Sequence, residues 1–198
     1  MPAADESPAL RDTYAAERRL AAAGITVRRA TAQDVPALVD FAKSTFGSAW
    51  AAEVAQSVDR PGAGCHLAVR EPGAATAPAA SPATSASSAS SSSSSSSASS
   101  ATASPAAASS AAAVTAAVEV LGFAAYGSSR PSWFGPMGTA PTAQGLGIGA
   151  ALLRRCLRDQ RAAGHDRVEI GWVGPVPFYA SAAGARIERV FFLYHKQL

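Results

Sequence analysis

Apolar positions along the chain recur with two periods, one of a helix and one of a strand. Residues 8–23 set Leu10, Tyr14 and Leu20 among charges at helical spacing and stop at Gly24. Ile25-Thr-Val-Arg-Arg29 alternates and predicts a strand. Thr31-x-x-Asp34 then matches a capping box, with Asp in place of the usual Glu. Val35, Leu38, Val39, Ala42 and Phe46 follow at helical spacing, Gly47-Ser48 makes a break, and Ala49–Val58 predicts a second short helix. His66–Arg70, Val118–Tyr126 and Trp133–Thr139 predict three strands. A helix is predicted over 147–162, with Gly164 as its C-cap. Arg167–Val173 predicts a strand, and Gly174-Pro175 opens a helix that carries Phe178 and Tyr179 and ends near Gly184. Arg186–Lys196 predicts a last strand with Val190, Phe192 and Tyr194 on one face. The order is β-α-α-β-β-β-α-β-α-β, an α/β domain over 25–198 preceded by an extension or linker helix over 1–24.

One segment interrupts this pattern. Residues 73–117 are almost wholly Ala, Ser, Thr, Pro and Gly, with serine at every position from 91 to 97. Such a tract cannot bury enough apolar surface to order itself and reads as a disordered insert. It falls between two predicted strands. Lengthening a loop from about 5 to about 45 residues costs only ~2 kcal/mol, at roughly 0.6 per doubling. The sheet is therefore expected to close around it.

Composition narrows the class. The chain has 198 residues, enough for one ordinary domain. Its 48% hydrophobic content is inflated by alanine in the insert. No apolar run reaches the length of a membrane span, and the start lacks the basic and apolar segments of a secretory signal. A cytoplasmic protein is expected. Two cysteines do not make a disulfide framework, and Cys156 among Leu152, Leu153 and Leu157 reads as a small core residue. The three histidines have no metal-ligand spacing, so no metal is expected. Net charge is +3, with Arg154, Arg155, Arg158 and Arg161 on one predicted helix. No nucleic-acid motif accompanies them, so a solvated helix face comes first and a supporting role near an anion second.

The chemistry concentrates in Thr139-Ala-Pro-Thr-Ala-Gln-Gly-Leu-Gly-Ile-Gly-Ala-Ala-Leu-Leu153. Gly145, Gly147 and Gly149 leave the backbone bare where a helix begins. The first N–H groups of a helix have no partner within it, and the helix dipole adds partial positive charge there. The pair makes an anion site suited to a pyrophosphate. Gly145-x-Gly147-x-x-Ala150 satisfies a loose dinucleotide fingerprint, with Glu169 on a later strand. That fingerprint should follow its strand directly in the first βα unit, whereas Pro141–Gln144 intervene here. A P-loop is excluded, since no Gly-Lys-Ser/Thr follows.

Gln144-x-x-Gly147-x-Gly149 resembles the acyl-CoA signature of the GNAT superfamily of N-acetyltransferases, and Thr139-Ala-Pro141 resembles its lead-in. The predicted element order is also the GNAT order, a mixed, mostly antiparallel central sheet flanked by helices. The resemblance covers residues 25–198 apart from the insert. It implies an acetyl-CoA-dependent acyltransferase that moves an acetyl group directly to a primary amine of a small molecule or a protein. It implies that Gln144, Gly145, Leu146, Gly147, Ile148 and Gly149 hold the CoA phosphates, and that Met137, Gly138 and Thr139 contact the pantetheine arm. It implies a proton donor to the departing thiolate on the helix after the next strand, where Tyr179 stands. The Tyr179-to-Gly184 spacing is one residue longer than the family's, and Gly174-Pro175 replaces its Asn. A helix like 8–23 also resembles the bridge of two-repeat GNAT proteins.

The family's carboxylate on the strand before the glycine loop is missing from Trp133–Met137. Glu119 and Glu169 are the nearest strand carboxylates, and surface positions are the favoured reading for both. Phe46, Trp50, Tyr126 and Trp133 are candidates to line an acceptor pocket. Fourteen residues follow Gly184, too few for the family's last two strands. The final strand is then either missing or supplied by a second subunit in a homodimer. No nucleic-acid or membrane partner is expected. The missing carboxylate leaves an alternative, an acyl-CoA-binding module without turnover.

Overall fold

The computed structural model describes residues 13–71, 118–171, 173–192 and 194–197. The insert over 73–117 and the start of the first predicted helix lie outside the described residues. Helix α1 spans Thr13–Ala22 and ends at Gly24, whose φ of 72° suits only glycine readily. Strand β1 is Ile25–Arg29. Asp34 accepts hydrogen bonds from the Thr31 N–H and hydroxyl, both 2.8 Å, and a 3-10 turn over Ala32–Asp34 leads into α2, Val35–Phe46. Pro36 fits the first turn of α2, where its missing N–H has no helical acceptor in any case. After Gly47, α3 runs Ser48–Asp59. Strands β2 (Gly64–Arg70), β3 (Glu119–Tyr126) and β4 (Trp133–Thr139) follow. Then come α4 (Ile148–Ala162), β5 (Glu169–Ile170) and α5 (Val176–Ala183).

The five strands form one sheet in chain order. Neighbours are antiparallel from β1 to β4, and β5 joins β4 in parallel through the α4 crossover. Arg70 faces Glu119 across the β2–β3 pair, so the insert connects two adjacent antiparallel strands. One irregularity in β4 shapes everything downstream. Tyr126 faces Phe134 and Ala124 faces Met137, so three steps on β4 oppose two on β3. This is a bulge at Gly135-Pro136, where Gly135 takes φ 122°. An extra residue on one strand bends that strand.

Each face of the sheet has its own core. Helices α2 and α3 bury Leu38, Ala42 and Val54 against Leu67, Val69 and Phe123. On the other face α1 and α4 bury Leu20, Leu152, Leu153 and Cys156 against Ile25, Leu121 and Phe134, and Ala182 of α5 joins them. Cys156 is fully buried, as its place among leucines predicts, and both cysteines are free thiols. The α4 arginines are largely committed to packing. Arg155 forms a two-pronged ion pair with Glu17, Arg158 lies 4.6 Å from the centre of the Tyr14 ring, and Arg154 donates 3.1 Å to the Ala182 carbonyl. The first two fasten α1 to α4, and the third fastens α5.

Two predicted strands differ from the structure. Over Arg167–Val173 only Glu169 and Ile170 form a strand. Over Arg186–Lys196 no described residue does, so the predicted order loses its last β. The two outcomes have one cause. A strand exists through the backbone partner beside it, and a two-residue β5 offers almost no edge for another. The tail is held near β5 by ion pairs of Glu188 with Arg167 and of Arg189 with Glu169. Val190, Phe192 and Tyr194 stand 68–90% exposed instead of sharing a buried face.

Candidate active site

Strand β5 pairs with β4 only through Trp133–Glu169 and Phe134–Ile170. The strands run in the same direction, and β4 continues for five residues beyond that pair, bent by its bulge. A fork opens after Phe134. Ala140 donates 2.8 Å to the Leu121 carbonyl, which fixes the phase of the β3–β4 ladder. In an antiparallel ladder hydrogen-bonding residues alternate. Ala140 and Gly138 therefore turn their backbone groups toward β3, and Met137 and Thr139 turn theirs into the fork.

The chain leaves β4 through a 3-10 turn at Pro141–Ala143 and reaches Gln144 in an extended conformation. Gly145 and Gly147 both lie in the left-handed region, at φ 81° and 84°, and Gly147 is the N-cap of α4. Nothing stands within 4 Å of where a Cβ on either glycine would go. Gln144, Gly145, Leu146 and Gly147 are exposed, while Ile148 is buried and anchors the first turn in the core. Gly149 lies against the floor of the fork. A Cβ there would be 3.4 Å from Met137 Cε and 3.4 Å from the Phe178 ring. The nine residues expected to bind the cofactor run from the end of β4 to the first turn of α4, with the backbone of Gly138 turned to β3 and the Ile148 side chain in the core.

Tyr179 arrives from α5. Its ring meets Phe134 edge-on at 6.3 Å and Phe178 at 5.0 Å. It stands beside the last β4 residue that β5 pairs, on the α4 face of the sheet. Burial pushes its phenol pKa up, so it holds its proton at neutral pH. The extra residue between Tyr179 and Gly184 is accommodated. Helix α5 runs unbroken to Ala183, and Gly184 closes it in the left-handed conformation at φ 66°.

The opposite face of the fork is aromatic. Phe46 packs so closely over Gly138 that a Cβ there would lie 2.3 Å from its ring. Trp50 stacks on Phe46 at 5.0 Å. Both rings meet Phe123 edge-on, at 5.9 and 6.4 Å. Trp133 stands at the base of the fork, half-buried beneath the Arg130 guanidinium, 4.8 Å from the ring centre. Phe46 and Trp50 thus share one face of the sheet with Phe123. Tyr126 lies on the other face of the sheet, where its hydroxyl donates to Asp159 of α4.

There, at the C-terminal end of α4, Asp159 Oδ2 accepts from Arg29 (2.8 Å) and Tyr126 (3.0 Å) and lies 2.9 Å from His66 Nε2. Burial alone would raise the Asp159 pKa. The hydrogen bond from His66, that from Tyr126 and the Arg29 charge outweigh it and hold the carboxyl below its usual range. Burial and the Asp159 charge push the Tyr126 pKa up to about 12. A cavity of about 230 Å³ lies near this end, beside Arg161, His165, Asp166 and Ile170, away from the glycine loop.

Glu119 is ion-paired with Arg70 and Glu169 with Arg189, which fits the surface reading of both. A carboxylate that sequence reading passed over is Glu53 of α3. Its Oε1 accepts from the Ser128 hydroxyl at 2.9 Å and from Ser129 at 3.4 Å. The one local signal was its place three residues after Trp50, which puts the two on one helix face. Among the described residues no group of His, Cys, Asp and Glu could hold a metal ion, and no helix is long and apolar enough to cross a membrane.

No protein-family profile matches this sequence, and no curated protein does. Solved structures do. An aminoglycoside acetyltransferase, meta-AAC0020, from an uncultured soil metagenomic sample in complex with sisomicin is similar at a TM-score of 0.50. The identity is 11%, over 88% of this chain and 97% of that one. An acetyltransferase of Trypanosoma brucei shows a TM-score of 0.49 at 14% identity, over 86% of this chain and 99% of that one. The likeness to meta-AAC0020 is one of fold, a mixed and mostly antiparallel sheet flanked by helices.

Proposed function

We propose that the chain binds acetyl-CoA along the forked edge of β4 and transfers the acetyl group directly to a primary amine. The observation that carries this reading is the convergence of three features at one end of the sheet. They are the free backbone of Met137 and Thr139, the bare glycine turn ahead of α4, and a protonated Tyr179 beside the fork. The first supplies hydrogen bonds to an extended amide-bearing arm. The second supplies N–H groups and the positive end of a helix to a pyrophosphate. The third supplies a proton.

Acetyl transfer to an amine requires an unprotonated nitrogen, donors to the carbonyl oxygen as it gains negative charge, and an acid for the thiolate. In this reading the backbone N–H groups in the fork polarise the thioester carbonyl. The amine nitrogen forms a bond to the carbonyl carbon and the carbon–sulfur bond breaks. The Tyr179 hydroxyl then gives its proton to the sulfur. The amine comes from the Phe46–Trp50 side, opposite Tyr179, and its released proton leaves through water.

Calorimetric titration with acetyl-CoA, with NADH as the control, tests the reading. Micromolar or tighter binding of acetyl-CoA and none of NADH is expected. Folded protein that binds NADH in preference would return the loop to the dinucleotide reading. Acetyl-CoA binding without release of free CoA to any amine of a broad panel would leave a binding module without turnover.

A further inference from the structure

Among the described residues, Glu53 is a carboxylate beside the bulge of β4, and its surroundings suit it to a ligand. Glu53 shares a face of α3 with Trp50, whose indole stacks on Phe46 over Gly138. The Ser128 hydroxyl that donates to Glu53 Oε1 at 2.9 Å also lies 3.5 Å from the Gly135 carbonyl. One buried hydroxyl therefore links Glu53 to the bulge of β4, next to the residue where β5 leaves it. A Cβ on Gly135 would meet nothing within 4 Å, so the space beside the bulge is open. Two cations are nearby: Arg60 donates to the Ser128 backbone carbonyl, and Arg130 lies over the Trp133 ring. Among the described residues no ion pair involves Glu53. Its known partners are two neutral hydroxyls, which hold Oε1 and leave the rest of the acceptor capacity of the carboxylate for another donor.

We propose that Glu53 is the acceptor-binding carboxylate. It receives the ammonium group of a primary amine, which gives up one proton to water before the nitrogen attacks, and Trp50 and Phe46 take the apolar arm that carries it. A half-buried carboxylate fixed in place is a strong acceptor for a cationic N–H donor, and stacked rings beside it give an aromatic or alkyl chain a surface to cover. The amine thus enters the fork on the face opposite Tyr179. The inference rests on the acetyl-transfer reading for its purpose but not for its test.

The test is calorimetry on the full chain with β-phenylethylamine and 2-phenylethanol, which differ mainly in charge. Wild type is expected to bind the ammonium at least about tenfold tighter than the alcohol, the scale of one hydrogen bond to a charged group. Glu53→Gln keeps an oxygen to accept from Ser128, and it should lose that preference with acetyl-CoA affinity unchanged. Trp50→Ala should weaken both probes alike. A wild type that binds neither probe or binds both equally overturns the proposal, as does a Glu53→Gln variant that keeps the preference. The two readings separate cleanly. Charge-selective binding without acetyl-CoA binding would sink acetyl transfer and keep this site. Amine acetylation with the same KM in wild type and Glu53→Gln would do the reverse.

Discussion

The two ends of α4 solve opposite problems. At its C-terminus the helix is held by side chains from several strands, although Gln160 Oε1 and His66 Nδ1 are buried there without a partner. His165 and Gly164 donate to the Gln160 and Arg161 carbonyls in the two-bond cap expected when glycine follows a helix. Gln160, fully buried, donates to the Pro131 and Trp133 carbonyls and so holds the β3–β4 turn. Asp159 gathers His66, Tyr126 and Arg29 from three strands. At its N-terminus the helix meets solvent through exposed glycines with open space around them. A helix clamped at one end by side chains can present bare backbone at the other without losing its place.

The comparison breaks most visibly at the open end. Gly147→Val forces a β-branched residue into the left-handed region, which costs about 1–2 kcal/mol, yet meets no neighbour there. The variant should fold, and acetyl-CoA affinity should fall on the order of 100-fold as loop hydrogen bonds to charge are lost. Titration calorimetry beside a melting curve would show it. Unchanged affinity would remove the loop from the site.

The clamped end should answer in the other currency. Asp159→Asn keeps the shape and removes the charge that His66, Tyr126 and Arg29 address. A loss of about 2 kcal/mol is expected, or roughly 4–8 °C in Tm for a chain of this size, with acetyl-CoA affinity unchanged. The sign with pH follows from the depressed carboxyl. Its contribution is complete above the ordinary aspartate pKa and is lost as pH falls through the lower folded value. The gap between wild type and variant should be widest near neutrality and close in acid, below about pH 4. A gap that persists unchanged there would mean the charge was not what mattered.

Tyr179→Phe sharpens the contrast, because it removes one oxygen at the open end and leaves the ring packing on Phe134 in place. Turnover should drop tenfold or more, with little change in Tm or in acetyl-CoA affinity. Equal turnover would exclude the hydroxyl as the acid. The smallest effect is expected from deleting 75–115 and joining β2 to β3 with a short turn. The Arg70–Glu119 register already places the two ends side by side, and loop closure of the longer connection contributes only ~2 kcal/mol against folding. Soluble, active protein is the expected result. Insoluble protein would show that the insert does more than connect.

Local chemistry made much of this legible in advance. Strands Ile25–Arg29 and Trp133–Thr139 have the limits their pattern predicts. The Thr31–Asp34 cap, the glycine turn, α4 and its Gly164 stop depend on residues within one or two turns of each other, so the chain order alone displays them. The same holds for Gly184 at the end of α5. What failed was the last strand, and what was missed was Glu53. Neither can be seen locally. Alternation in Arg186–Lys196 becomes a strand only beside a strand, and β5 stops after two residues.

The sequence by itself determined the elements up to α4, the bare helix start and the aromatic character of the chain near Phe46 and Trp50, because periodicity, caps and glycine freedom act over a few residues. Only the tertiary structure decided which end of the sheet opens, through a one-residue bulge in β4 that the β3 register makes measurable. It also decided that Tyr126 belongs to the clamp and Glu53 to the fork. Those assignments depend on pairs such as Tyr126 with Asp159 and Glu53 with Ser128. Such partners are far apart in the chain and meet only when the sheet brings them together.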